Sequence, residues 1–366
     1  MGNLCHAGPL LPPASAPAAS KQPLTFGRDP TLKREDFIFS NVQSASFLVK
    51  LPGSVNGQQF LIEACRDCDI FVLDHCTSVQ IDDCVNCRIV IGPCNASLFL
   101  RNCRDCTLVC AVQQFRTRDC EKIDVYLYSA TEPIIETSSQ MRFACFPLAY
   151  FNLQQQFDAA KFSVWNNRWS EIYNFTPEHG AWKAISTQTH ISPLAEAMST
   201  PTLWGLPTQT AEEVGLTVEA AKLVVPLTGG VSARREDDNL AIVIFVQAHA
   251  HLMMEFVAAI AKQAGAAGVK ETVLLRSRQM KFSDDQAKHL FQQTHIALVS
   301  KASDTTRDTA GSVIMEFEGA ECSQHVQNAL QLETFSAILT SIFVCTDNGP
   351  ARRLSELIFT QWKDAI

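Results

Sequence analysis

Two groups of residues in this chain have types and spacings suited to chemistry. The first is a set of three Cys-x-x-Cys pairs, Cys65/Cys68, Cys84/Cys87 and Cys103/Cys106. Fifteen residues lie between Cys68 and Cys84, a spacing at which two such pairs hold zinc in a ribbon. The second is the octet Gln113-Gln114-Phe115-Arg116-Thr117-Arg118-Asp119-Cys120. Two permanently charged guanidinium groups standing side by side repel each other. Something acidic must offset them, whether Asp119, Asp105 or a group on another molecule.

The elements that position these residues follow from a repeat. Cys65, Cys84 and Cys103 are 19 apart, as are Cys68, Cys87 and Cys106. Four apolar columns share that period: Phe60/Val79/Leu98, Ile62/Ile81/Leu100, Ile70/Ile89/Leu108 and Val72/Ile91/Cys110. A zinc ribbon has no reason to carry apolar columns, and it needs two or four pairs rather than three. The period suits one winding of a parallel β-helix, in which each winding buries its inner row only when neighbours cover it. Apolar residues two apart point the same way along a strand. On this reading the cysteines are small hydrophobes filling a narrow core. The chain opens without a secretory leader pattern, which favours reduced thiols over disulfides.

After Cys106 the period shortens by two. Phe115 follows Leu98 by 17 and Thr117 follows Leu100 by 17, so both are expected inside the winding. Alternation then puts Arg116 and Arg118 outside on one face, with Gln114 beside them. Gln113 falls near a corner and its facing stays open. By periodicity alone, Arg116 reads as a surface arginine paired with a neighbouring carboxylate.

Composition narrows the classes of partner. The 366 residues carry a net charge of -8 and are 46% hydrophobic and 19% charged, an ordinary balance for globular domains. No basic run marks nucleic acid as a main partner. No apolar run approaches the length of a spanning helix.

From about Arg34 to Trp182 the chain resembles the tubulin-cofactor-C domain family, whose fold is a right-handed parallel β-helix. The cysteine windings and the octet carry the resemblance. So do Thr131-Glu132-Pro133-Ile134-Ile135-Glu136, Phe146, Asn166-Asn167-Arg168-Trp169 and Asn174-Phe175-Thr176-Pro177. The resemblance implies a GTPase-activating protein for the GTP form of an Arf-like small GTPase, working in trafficking of lipidated proteins to cilia. Arg116 then matches the family's arginine finger and Gln113 the glutamine that supports it. Arg118, Glu136 and Phe175 match positions at the GTPase contact. GTP and Mg²⁺ would come with the partner, leaving this chain with no cofactor and no metal. The alternative is a non-catalytic tubulin-folding or scaffold module of the same fold, in which Arg116 only docks.

Four segments are expected. Residues 1–33 form a tail rich in Pro, Ala and Ser after Met1-Gly2-Asn3-Leu4-Cys5-His6. Gly2 and Cys5 there are candidates for myristoylation and palmitoylation, although His6 departs from the preferred Ser or Thr. Two acyl chains hold a protein on a membrane, where one is marginal. This places the protein at the cytoplasmic face of the plasma membrane and at the cilium or basal body. Residues 34–182 are the β-helix. Residues 183–238 form an irregular linker with a short helix near 211–223, for which Thr210 and Glu213 are a candidate capping box. Residues 239–366 alternate strands and helices. They resemble a nucleoside-diphosphate-kinase-like domain, an antiparallel ferredoxin-like sheet with helices on one side. Such a kinase needs a phosphate-accepting histidine, yet Phe343-Val344-Cys345-Thr346-Asp347-Asn348 has none. The domain therefore reads as catalytically silent, and the whole protein as a monomer.

Overall fold

The nineteen-residue period winds the chain into a parallel β-helix. The computed structural model describes residues 32–45, 47–184, 208–231, 234–235, 237–245, 250–264, 272–291, 311–339 and 342–362. Gly2 and Cys5, the expected acylation sites, lie outside the described residues. The winding strands are β1 (Ile38–Ser40), β2 (Leu48–Lys50), β3 (Phe60–Glu63), β4 (Asp69–Val72), β5 (Val79–Asp82), β6 (Arg88–Arg101), β7 (Arg104–Arg118), β8 (Glu121–Ser129), β9 (Ile134–Glu136), β10 (Arg142–Cys145), β11 (Tyr173–Asn174) and β12 (Lys183–Ala184). Their ladders are all parallel.

Register reproduces the apolar columns. Phe60 pairs with Val79, Val79 with Leu98 and Leu98 with Phe115, all fully buried. Ile62, Ile81, Leu100 and Thr117 form the next column inward. Ile70 and Val72 continue through Ile89 and Ile91 to Leu108 and Cys110. The two-residue shortening is confined to one corner. Ile91 faces Cys110 at 19, Cys94 faces Val112 at 18, and Ser97 faces Gln114 at 17. The octet therefore emerges where two residues are lost one at a time.

The cysteine pairs mark corners. Each cysteine of the three pairs follows a residue in the left-handed region: Ala64, Asp67, Asp83, Asn86, Asn102 and Asp105, with φ between 52° and 57°. Asn and Asp tolerate that conformation because their short polar side chains bond locally. Asn86 donates to Asp67 on the winding before it at 2.6 Å, and Asn102 to Asp83 at 3.2 Å. Just inside each bend a side chain must be small and must satisfy a carbonyl. The thiols of Cys68, Cys87, Cys103 and Cys106 reach the carbonyls two residues back at 3.1–3.3 Å. Cys87 and Cys106 also reach the winding below, at Cys65 O and Cys84 O. All the described cysteines are free, and all but Cys345 are buried.

One outer face of the β-helix is covered. Phe71, Val90, Val109 and Tyr126 form an outward apolar stripe, packed under α1 (Leu153–Ala159) through Leu153 and Phe157, with Val214 and Val225 alongside. Part of the expected linker is thus built onto the β-helix. Thr217 pairs with Ala149, and Pro226 O accepts from the Cys145 thiol. The short helix there, α2 (Thr208–Val214), begins earlier than expected. Thr210 lies inside it, so the anticipated Thr210/Glu213 capping box does not form.

The C-terminal part is a four-stranded antiparallel sheet of β13 (Leu240–Phe245), β14 (Val273–Met280), β15 (Ser312–Glu318) and β16 (Ile342–Cys345), in the order β14-β15-β13-β16. One face packs on α3 (Ala250–Ala264), α5 (Cys322–Leu330) and α6 (Glu333–Ser336). The opposite face packs on α4 (Asp284–Phe291), α7 (Asn348–Glu356) and the π-helical turn Leu357–Gln361. Helices therefore cover both faces, not one, because successive strand residues such as Ile242 and Val243 are both apolar and fully buried. Ser283 caps α4 as expected, in a reciprocal pair with Gln286. His325 is buried and bonds Thr272 at 2.7 Å. The β-helix and this sheet belong to one unit. Trp165, from the chain beyond α1, is part of the sheet's core.

Candidate functional site

The site is built from residues that face out where their neighbours face in. Phe115 is fully buried and Thr117 is 3% exposed, so strand alternation turns Arg116 and Arg118 outward together. Phe115 is wedged edge-on against Phe143 at 6.0 Å, which fixes the backbone that carries Arg116. Register continues the outward column. Phe99 faces Arg116, Arg116 faces Ile134, and Ile134 faces Tyr173. A second column runs from Arg101 through Arg118 to Glu136. The Phe175 amide donates to Ile135 O at 2.9 Å and so extends that pairing to the next winding.

The two arginines differ in their surroundings. Arg118 pairs with Asp119 at 3.3 Å, and its neighbour Arg101 pairs with Asp82 at 2.7 Å. Asp105 pairs with Lys122 instead. Among the described residues Arg116 has no carboxylate partner. Its guanidinium lies over the Phe99 ring, 5.2 Å from the centroid. The plain expectation of a surface arginine locked in a local ion pair therefore holds for Arg118 and fails for Arg116. A contact over an aromatic face contributes roughly 0.5–1 kcal/mol at an exposed site. It orients the side chain and leaves its donors available.

Gln113 and Gln114 sit at the shortened corner and open into a recess of about 800 Å³, lined also by Ser97, Thr131, Glu132, Arg168, Tyr173 and Phe175. The Gln113 carbonyl accepts from both the amide and the hydroxyl of Thr131, at 3.1 and 2.9 Å. Ser97 is bonded to Gln114 at 3.2 Å. Phe175 and Tyr173 are 56% and 52% exposed and meet edge to face at 4.7 Å. Large exposed aromatics in contact at the rim of a recess are the usual anchors of protein interfaces. The backbone around Phe175 is fixed by its neighbours. Asn174 accepts from the Thr176 amide at 3.0 Å, and Thr176 accepts from the Thr137 amide at 2.6 Å.

The structure thus brings Arg116, Arg118, Glu136 and Phe175 to one face of three successive windings, with Gln113 at its corner. Tyr173 belongs to the same face and was missed. Its signal was available, since it stands two residues before Phe175, a spacing that puts both on one side of an extended segment. Glu132 and Arg168 were read only as marks of resemblance, and they join the recess through an ion pair at 2.8 Å. Among the described residues no group of three or more His, Cys, Asp or Glu side chains is disposed to hold a metal ion.

A family model described as tubulin binding cofactor C matches residues 57–175, which covers the windings and the whole candidate face. Similar curated proteins include Protein XRP2 of Danio rerio, 39% identical over 70% of this chain and 65% of that protein. Protein XRP2 of Homo sapiens is 35% identical over 58% of each. The chain therefore spans somewhat under two thirds of the length of these two relatives. Protein XRP2 of Xenopus laevis is 32% identical over 91% of both chains.

Proposed function

This chain belongs to the XRP2 family, and from that premise we propose that it is a GTPase-activating protein for a GTP-bound Arf-like small GTPase. Arg116 is the finger, inserted in trans. Hydrolysis spreads negative charge over the oxygens of the transferred phosphoryl group and the leaving oxygen. A planar, permanently charged guanidinium donates to several of these oxygens at once, which a lysine ammonium does less well. Such a finger contributes on the order of 10³ to 10⁵ in rate. GTP and Mg²⁺ belong to the partner.

One observation carries the reading: Arg116 projects from a rigid winding, oriented over Phe99 and free of any carboxylate among the described residues. A finger that must arrive pre-positioned gains from a rigid support. Gln113, fixed at the corner by Thr131, supports the finger. Arg118, Glu136 and Phe175 dock the partner. Single-turnover GTP hydrolysis by a candidate Arf-like GTPase tests this. Arg116→Ala keeps binding to the GTP-loaded partner and removes the acceleration; full stimulation by that variant rejects the assignment.

The remaining roles follow from the same premise. Acylation at Gly2 and Cys5 holds the protein at the cytoplasmic face of the plasma membrane and at the cilium or basal body. The C-terminal sheet, with α3, α5 and α6 on one face and α4 and α7 added on the other, is a ferredoxin-like, nucleoside-diphosphate-kinase-like domain without catalysis, serving as an interaction surface on a monomeric protein. The description of the matching family model favours one second reading, a tubulin-binding or scaffold module in which Arg116 docks only. Binding to the partner without any change in its GTP turnover selects that second reading.

A further inference from the structure

We propose that Arg168 is a positioning residue for the finger face, and the proposal rests on the GTPase-activating reading above. Four consecutive side chains, Asn166 to Trp169, each grip a different part of the molecule. Asn166 binds the β14 backbone, accepting from Gln279 N at 2.6 Å and donating to Gln279 O at 3.2 Å. Asn167 binds the β8 end, accepting from Ser129 N at 3.0 Å and donating to Leu127 O at 3.1 Å. The Trp169 ring lies in the β-helix core and its indole N–H donates to Thr228 at 2.8 Å. Arg168 is left to serve the recess.

Arg168 Nη2 donates to Glu132 Oε1 at 2.8 Å and to Glu171 Oε2 at 2.7 Å, and Nε donates to Glu171 Oε2 at 3.0 Å. Its amide donates to Ser129 O at 2.8 Å. One residue thus holds both ends of the 129–132 turn. Within the turn, the Ser129 hydroxyl donates to Thr131 O at 2.7 Å, and Thr131 gives both its donors to the Gln113 carbonyl. Pro133 O accepts from the Tyr173 amide at 2.8 Å, and the next residue, Ile134, lies opposite Arg116. Arg168 therefore sets the corner under Gln113, the strand beside Arg116 and the entry to the aromatic rim. A partly exposed ion pair contributes little stability. Its fixed fork contributes geometry, to which rate is sensitive: an error of about 1 Å can cost roughly 10²-fold.

The test is single-turnover GTP hydrolysis by a GTP-loaded Arf-like GTPase titrated with the full chain. Arg168→Gln and Glu132→Gln should each lower the maximal rate roughly 10- to 100-fold while the half-saturating concentration moves less than about threefold. Glu132→Gln removes one ligand of the fork and keeps the fold. The double variant should be no slower than the slower single, because both changes break one contact. Arg168→Lys should recover part of the loss, since it keeps the charge and loses the fork. A maximal rate for both single variants within about twofold of wild type, a loss confined to half-saturation, or multiplying single effects would overturn the proposal. Arg116→Ala runs alongside. If it stimulates fully, the GTPase-activating reading itself fails and this proposal falls with it; if it is inactive while the Arg168 and Glu132 variants behave as wild type, only this proposal falls.

Discussion

The guanidinium of Arg116 lies 5.2 Å from the centre of the Phe99 ring, directly across the ladder on the preceding winding. Phe99 thus takes the place of the carboxylate that the neighbouring Arg101 and Arg118 each have. The first prediction follows from that substitution of partners. On the proposed GTPase-activating role, Phe99→Ala should lower the maximal stimulated rate of GTP hydrolysis roughly two- to fivefold, the equivalent of a cation–π contact of about 0.5–1 kcal/mol. Phe99→Asp should do more harm, because a carboxylate on this spot would hold Arg116, the proposed finger, in a local ion pair. Titrated single-turnover assays check both, and a Phe99→Asp protein as active as wild type contradicts the role given to the ring.

The corners of the windings yield a second prediction. Asn102 precedes Cys103 with φ at 52°. A residue with a Cβ and no local polar bond loses roughly 1–2 kcal/mol in that conformation. Asn102→Val should therefore lower unfolding stability by about that much, whereas Asn102→Gly should stay within about 0.5 kcal/mol of wild type. Urea denaturation followed by circular dichroism distinguishes them, and equal midpoints for the two variants would count against the corner account.

Much of this is legible in the sequence alone. The period of 19 fixed which of Phe115, Arg116 and Thr117 face inward, because alternation on a wound strand leaves no freedom once two columns are known. The Asx residues before each cysteine could also have been read, since only a left-handed corner explains Asp or Asn at five of those six positions. Other features were not accessible. That Arg116 rests on Phe99, while Arg118 pairs with Asp119, depends on rotamers. That Arg168 reaches Glu132 depends on how the chain returns after α1, across 36 residues. The covering of the C-terminal sheet on both faces was obscured by resemblance, although the unbroken apolar run of β13 pointed to it.

A third prediction concerns Trp165, which leaves the β-helix segment to join the core of the C-terminal sheet and is 2% exposed. Its carbonyl also accepts from the Ser277 hydroxyl at 2.9 Å. Trp165→Ala should cost about 3–5 kcal/mol, as expected for an emptied aromatic site. Because Trp165 is rooted in the chain beyond α1 and its side chain is packed in the sheet's core, the loss should loosen the two halves from each other. Scanning calorimetry should show one transition for the wild type and two for the variant. A single transition shifted as a whole would mean that the other contacts between the halves suffice.

The final prediction concerns alkaline pH. Burial pushes the Cys94 thiol up to about 12, and it raises Cys76, Cys110 and Cys145 as well. In the unfolded chain a thiol loses its proton near pH 8.5. Between those values the folded protein keeps protons that the unfolded chain has released, so stability is full below about pH 8.5 and falls as pH rises. Across that window Cys94 contributes a slope of about 1.4 kcal/mol per pH unit. Cys76, Cys110 and Cys145 add in the same direction and outnumber Cys87 and Cys103, which hydrogen bonds from neighbouring thiols hold low and which act the other way. The urea midpoint should therefore hold steady from pH 7 to about 8.5 and fall by pH 10. Over the steady range these four thiols should resist alkylation until denaturant is added, since the thiolate is the reactive form. A midpoint that stays flat to pH 11 would show that the buried thiols ionise in place and that the packing of the windings tolerates their charge.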